Sequence, residues 1–264
     1  MDKRLTMAQA VKLVPSGAML AMGGVTLYRR PMAFTRALIQ GYLHKGEPSE
    51  LTLLAFTAGL ESDLLVGAGM VRRVRTCYFG LEIFGFAPMF SYLANRGEIE
   101  IVEETEASLA FGLRAQLAGI GFMPGRGWLG TDLPRLRPDV RTVTDPYNGE
   151  ELMAFPAIRP DVAVIHCLRA DLEGNAIIGT NKGIDLELAQ VARQVILTTE
   201  EIAFDLEHVD LVAPFISAVV EAPGGALPSS CHPLYPMDGS AILDYAEKVS
   251  NPQTFQPYLQ SLLS

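Results

Sequence analysis

Two short runs, LTLLAFT at residues 51–57 and DVAVIHCL at 161–168, restrict the fold more than any other feature of the chain. A strand with one face in water alternates apolar and polar side chains. A nearly unbroken apolar run belongs to a strand covered on both faces. QVILTTE, 194–200, has the same character, and GAMLAMGG, VRTCYFG (74–80) and IEIVE (99–103) read as further strands. Between them lie segments with helical spacing. MAFTRALIQGYL sets Phe34, Ala37, Leu38 and Tyr42 on one face, and LLVGAGMV, ASLAFGLRAQLAG and DLELAQVAR also read as helices. Strands and helices in alternation give an α/β fold with a mostly parallel sheet and right-handed crossovers. Ligands of such sheets bind beyond the carboxyl ends of the strands, where Gly23, Gly24 and Asn175 would lie.

Length and charge narrow the functional classes. The 264 residues, 49% hydrophobic and 19% charged, suit one large domain or two small ones with a true core. The net charge of -9 argues against a nucleic-acid binder, which usually carries a basic stripe. The densest cationic cluster, Arg72, Arg73 and Arg75 in VRRVR, reads as a solvated strand entry. An acidic chain can still hold an anion through backbone N–H groups and a few local cations. Cys77, Cys167 and Cys231 are odd in number and widely spaced, which fits neither a disulfide framework nor a zinc site and suits a reducing cytoplasm. No run of 18 apolar residues predicts a membrane span. TMAQAVKLV, with Met7, Ala10, Val11 and Val14 on one face, reads as an amphipathic helix rather than part of a cleavable leader.

Several candidate sites compete with plainer readings. AMGGVTLYRRPMAF, 21–34, joins a strand to a proline-started helix through a glycine pair. GRGWLG, 125–130, matches the dinucleotide fingerprint in letters only, because Pro124, Pro134 and Pro138 deny it the strand and helix it needs. That motif lies in a glycine- and proline-rich stretch, 121–160, that reads as a long ordered loop or flap; 211–239 is similar, and SAILDYAEKV and TFQPYLQSLL close the chain as helices. His166, inside an apolar strand, reads as a hydrogen-bonded core histidine. Cys231 and His232 are adjacent and so point apart in extended chain. No histidine pair has metal-ligand spacing. Glu103, Glu104 and Glu106 cluster where a strand ends and a helix begins, which suits either helix-dipole stabilisation or general acid/base chemistry. Glu82, in FGLEIFG, is a lone acid among apolar residues, and RADLEGNAIIGTN, 169–181, is rich in turn formers.

Taken in order, RPDVAVIHCLRADLEGNAIIG, VVEAPGGALPSSC, MGGVTLYRRPMAF, YFGLEIFGFAPMF and GFMPGRGWLGTDL resemble the corresponding motifs of family I coenzyme A transferases, in particular their α-type subunit of the glutaconate-transferase sort. The resemblance spans nearly the whole chain, 1–264, as a single domain with the 121–160 flap. It implies an open, mostly parallel sheet with helices on both faces. It also implies a cytoplasmic heteromer with a β-type subunit that moves coenzyme A between carboxylic acids, acyl-CoA being substrate and no cofactor being permanently bound. The nucleophilic glutamate of this family, which carries a glutamyl-CoA thioester, belongs to the β-type subunit, and no S-E-N-G-like motif occurs in this sequence.

The resemblance assigns the N–H groups around Gly23 and Gly24 to the thioester or its oxyanion. Thr26 stands where the commoner glycine loop has a third glycine. Arg29 and Arg30 precede Pro31 and read either as ligands of a substrate carboxylate or CoA phosphate, or as a solvated helix start. A related branch hydrolyses carbon–carbon bonds of cyclic ketones carried on CoA, with an acid of this type of subunit implicated; Glu103 or Glu106 would be its counterpart. A third reading, a sugar-phosphate sensor of the same general fold, would need a DNA-binding module for which the chain has no spare length.

Overall fold

The computed structural model describes residues 1–264. Its strands are β1 (Met19–Met22), β2 (Leu51–Ala55), β3 (Val71–Thr76), β4 (Glu100–Glu103), β5 (Phe122–Gly125), β6 (Arg141–Thr144), β7 (Glu151–Pro156), β8 (Val162–Ala170), β9 (Ala176–Ile177), β10 (Gln194–Ile202) and β11 (Ala218–Glu221). The helices are α1 (Met7–Ala10), α2 (Met32–Lys45), α3 (Leu60–Gly67), α4 (Pro88–Asn95), α5 (Glu106–Leu117), α6 (Leu133–Leu136), α7 (Asp185–Val191), α8 (Gly239–Lys248) and α9 (Pro252–Leu263). Seven strands form one parallel sheet in the order β11-β10-β8-β1-β2-β3-β4, and β9 folds back antiparallel on the end of β8.

The apolar runs account for this architecture. Successive side chains of a strand point to opposite faces. Leu20 and Met22 of β1, Leu53 of β2 and Val162 and Val164 of β8 enter one core with Leu38, Leu64, Ile242 and Phe255, so α2, α3, α8 and α9 cover that face. Ala21, Leu54, Ala163, Ile165 and Leu197 enter a second core with Leu109, Leu113 and Leu188, so α5 and α7 cover the other. Both faces of the central strands are therefore dry, as their composition requires.

The strand order reverses at β1. The chain runs from β1 through β2 and β3 to β4 on one side, and reaches β8, β10 and β11 on the other. This topological switch point, at the carboxyl end of β1, is where an open α/β sheet presents its ligand crevice. The same edge carries the chain leaving β2, β3 and β4.

Local differences from the sequence reading have physical causes. The strand expected at 74–80 runs instead from Val71 to Thr76 and includes the arginine cluster. Arg72 is exposed, as a solvated strand entry requires, whereas Arg73 and Arg75 pair with Glu100 at 2.8 Å and Glu104 at 2.7 Å on β4 and just beyond it. The 121–160 stretch contains β5, β7 and β6 as a small antiparallel sheet around Trp128, Val140, Met153 and Phe155. Strands this short, interrupted by Pro124 and Pro156, leave little periodicity to read. The TMAQAVKLV helix is one turn, capped reciprocally by Thr6 and Gln9, that continues as a 3-10 turn over Val11–Leu13.

Candidate functional site

The glycine loop after β1 is held from three sides. Gly23 N–H donates to Val164 O at 2.9 Å. Gly24 N–H donates to the Asp185 carboxylate at 3.0 and 3.2 Å, and Thr26 N–H to Thr57 Oγ1 at 2.8 Å. Gly24 has a φ of +83°, and a β-carbon there would lie 2.5 Å from Tyr28 O, so only glycine fits. The N–H groups expected to meet a thioester oxygen are thus already spent on the protein. That expectation for Gly23 and Gly24 fails because strand β8 and helix α7 supply the acceptors.

Arg29 and Arg30 are wholly buried. Arg29 donates to His166 O at 2.7 Å, Asn181 O at 2.8 Å and Asp185 Oδ2 at 2.9 Å. Arg30 donates to Gly24 O at 2.9 Å and forms an ion pair with Glu61. Neither is a solvated helix start, and neither guanidinium faces an opening for a phosphate or carboxylate. The reason is charge: Asp185 at the start of α7 and Glu61 on α3 are fully buried acids that require these partners. Asn175 is likewise engaged locally. Its amide donates to Asp171 at 2.7 Å and its oxygen accepts from Ala213 N at 2.9 Å, so it closes the β8–β9 turn rather than lining the crevice.

A second buried network braces the loop from β10. Glu200 accepts from His166 Nε2 at 2.6 Å, Gly224 N at 2.6 Å and Gly225 N at 3.1 Å, and from the Tyr235 hydroxyl. Thr198 Oγ1 lies 2.8 Å from His166 Nδ1. With Nε2–H donating to the carboxylate and Nδ1 accepting from threonine, every partner is satisfied by a neutral imidazole. Burial lowers the His166 pKa, against the opposing pull of Glu200. The segment held in this way then grips the glycine loop: Gly225 O, Ser229 Oγ and Ser230 O accept from Ala33, Arg30 and Arg29 N–H. Cys231 lies within 4.8 Å of His166 and Glu200, but the carboxylate's donors and both ring nitrogens are already paired, so the trio is a brace with no free ligand set. His232 is exposed while Cys231 is buried.

The acid cluster divides by burial. Glu104 is buried and accepts from Arg75 at 2.7 Å, Arg137 at 2.8 Å and the Ser108 hydroxyl. Arg137 also donates to Glu103 O at 2.8 Å, and Trp128 Nε1 to Thr105 Oγ1 at 2.9 Å, so the small sheet is fastened to this junction. Glu103 and Glu106 are exposed, and their carboxylates have no partner in the chain. Glu106 occupies the first position of α5, above the half-buried Cys77, whose thiol donates to Phe56 O at 2.8 Å. Burial and the Glu106 charge raise the Cys77 pKa to about 11, leaving a neutral thiol. The carboxyl edge thus presents, from β1 to β4, a rigid glycine loop, Thr57, Cys77 and two free carboxylates.

The model for the coenzyme A transferase family matches residues 4–222. The chain belongs to the coenzyme A transferase family. It is similar to the A-type subunit of the 3-oxoadipate CoA-transferase of Pseudomonas knackmussii, 32% identical over all of this chain and 94% of the relative. It is equally similar, 32% over all of this chain and 94% of the relative, to the cholesterol ring-cleaving hydrolase IpdA subunit of Mycobacterium tuberculosis. The glutaconate coenzyme A-transferase structure from Acidaminococcus fermentans superposes with a TM-score of 0.90 at 26% identity, covering 99% of this chain and 88% of that one. The open parallel sheet with helices on both faces is thus the family's fold. No helix is long and apolar enough to cross a membrane.

Sequence reasoning missed Asp185, Glu61 and Glu200, the three acids that brace the glycine loop. A signal for two of them existed. Two consecutive arginines entering an apolar helix cannot be buried alone, and LESDLLVG and GIDLEL place acids on otherwise apolar helices.

Asp185→Ala strips the acceptor from Gly24 N–H and leaves Arg29 buried without its counter-charge. It should destabilise the chain by about 3–5 kcal/mol, measured by urea unfolding. The neutral, buried His166 gives a second expectation. The unfolded chain takes a proton as pH falls below 6.5 while the folded one resists it, so His166 contributes stability above that pH and loses it below. Urea midpoints from pH 7.5 down to 5 should fall in the wild type, and less steeply in His166→Asn.

Proposed function

We propose that the chain is the α-type subunit of a heteromeric coenzyme A transferase whose β-type partner carries the glutamyl-CoA thioester. The observation behind this reading is a glycine loop fixed in detail at the switch point of the family fold, with Val25, Thr26 and Tyr28 half-buried at its tip. The 620 Å³ groove of the chain lies elsewhere, lined by Met7, Val11, Leu38 and His44 between α1 and α2. In this reading the β-type subunit completes the site at the carboxyl edge.

In the proposed reaction the partner's glutamate carboxylate attacks the acyl thioester carbon, and the CoA thiolate leaves to give a mixed anhydride. The thiolate then attacks the glutamyl carbonyl, releasing the first acid and forming the glutamyl thioester. A second carboxylate repeats the sequence in reverse and departs as acyl-CoA. Charge builds on one carbonyl oxygen at each addition, and this subunit's contribution is the preorganised wall against which that oxygen rests. Acyl-CoA and free carboxylic acid are substrates, and the chemistry calls for no resident cofactor.

The purified chain alone should not exchange CoA between succinyl-CoA and 3-oxoadipate, or between acetyl-CoA and glutaconate. Its complex with the co-encoded β-type subunit should do so for at least one pair. Borohydride should then trap a glutamyl thioester on the partner. Full activity of the single chain overturns the assignment.

The free Glu103 and Glu106 carboxylates favour a second reading, a ring-opening hydrolase of CoA-linked cyclic ketones. One of these acids would then act as the base toward water. Glu103→Gln and Glu106→Gln distinguish the two. In a transferase each changes kcat less than about threefold; in a hydrolase one of them lowers it by about 10²–10⁴.

A further inference from the structure

The tip of the glycine loop is a tight turn in which Val25 and Tyr28 exchange both backbone hydrogen bonds, at 3.0 and 2.8 Å. Its two corner residues are Thr26 and Leu27. Thr26 has a φ of +49°, a left-handed conformation that a β-branched residue rarely adopts. Gly24 meets the same demand with glycine, and Arg29, at +53°, meets it with a side chain committed to Asp185. Thr26 has no such commitment within the chain. A β-branched residue kept under strain at the mouth of a crevice indicates that its side chain is used there.

The hydrogen bonds agree. Among residues 23–30, Leu27 alone has a backbone N–H without an acceptor in the chain, the others being taken by Val164, Asp185, Tyr28, Thr57, Val25, Ser230 and Ser229. The Thr26 hydroxyl also makes no hydrogen bond within the chain, and Thr26 is only half-buried. Two neighbouring donors thus stand unpaired at the tip of a loop whose remaining donors are spent, Thr26 half-buried and Leu27 with its side chain in the core.

We propose that the Thr26 hydroxyl and the Leu27 N–H, rather than the Gly23 and Gly24 amides, hold an oxygen of the acyl group of the CoA thioester. This rests on the transferase reading above. Thr26 is then a residue that touches substrate. The Thr57 hydroxyl that accepts from Thr26 N–H is a positioning residue, since it fixes the corner without reaching beyond it. The acyl groups suited to such a corner are those with a free oxygen next to the reacting centre, the thioester carbonyl first. As the partner carboxylate adds, the carbonyl π pair moves onto that oxygen, and both donors strengthen.

The test uses the complex of this chain with its β-type subunit, the succinyl-CoA and 3-oxoadipate exchange assay, and thermal unfolding. Thr26→Ser keeps the hydroxyl and should retain kcat/KM within about threefold. Thr26→Val keeps the shape and should lose about ten- to a hundredfold, mainly in kcat. Thr26→Gly removes the strain with the hydroxyl; it should lose activity to the same degree while Tm stays within about 3 °C or rises. Valine and glycine complexes with wild-type kcat/KM overturn the proposal. So does a glycine variant whose Tm and activity fall together, because that marks a purely structural residue. A wild-type complex inactive with every acid pair overturns the transferase reading and this inference with it; an active wild type beside unaffected variants overturns this inference alone.

Discussion

The structure turns on the divergence of two consecutive arginines. Arg29 reaches Asp185 on α7, which packs on one face of the sheet, and Arg30 reaches Glu61 on α3, which packs on the other. Each pair is fully buried. Removing four charges from water is expensive, and such pairs seldom add net stability over apolar residues of the same size. What they provide is position. Arg30 also holds Gly24 O, and Asp185 also holds Gly24 N–H, so both sides of one peptide-bearing residue are tied through the pair to opposite layers. The loop cannot move without leaving a buried charge alone.

The remaining braces share this logic of indirect support. Glu200 gathers His166, Tyr235 and two glycine amides on one carboxylate, and the segment so fixed offers three acceptors to Arg29, Arg30 and Ala33. Glu104 gathers Arg75, Arg137 and Ser108 beneath the β4–α5 junction. In each case one acid organises donors from different elements, and the chain beyond it emerges at the carboxyl edge. Of the acids that do this, Asp185, Glu61 and Glu104 are buried and Glu200 is half-buried; those left free at the edge, Glu103 and Glu106, support nothing.

This division explains what is legible in the sequence. Apolar periodicity reports burial of whole faces, so β1, β2, β8 and β10 and the helices between them can be read, and with them the switch point that locates the site. β11, at the sheet edge within a proline-rich stretch, and α4, begun by Pro88, carry weaker patterns that escape such a reading. The motif resemblance locates the loop but not its hydrogen bonds. Gly23, Gly24, Arg29, Arg30 and Asn175 read as facing ligand because residue type says only which groups are available. Which of them remain free depends on acceptors over a hundred residues away, as the 161-residue separation of Gly24 and Asp185 illustrates.

One scaffold with two named chemistries among its relatives, CoA transfer and ring cleavage, then has a physical basis. Rigid parts of an active site act by preorganisation, which is indifferent to the reaction as long as charge develops at the same oxygen. Attack on a thioester and hydration of a CoA-linked ketone both develop charge on a carbonyl oxygen. The buried acids and arginines can therefore serve either reaction unchanged. Where the fold imposes least, at the free Glu103 and Glu106 carboxylates beyond β4, the scaffold leaves room for the chemistry to differ.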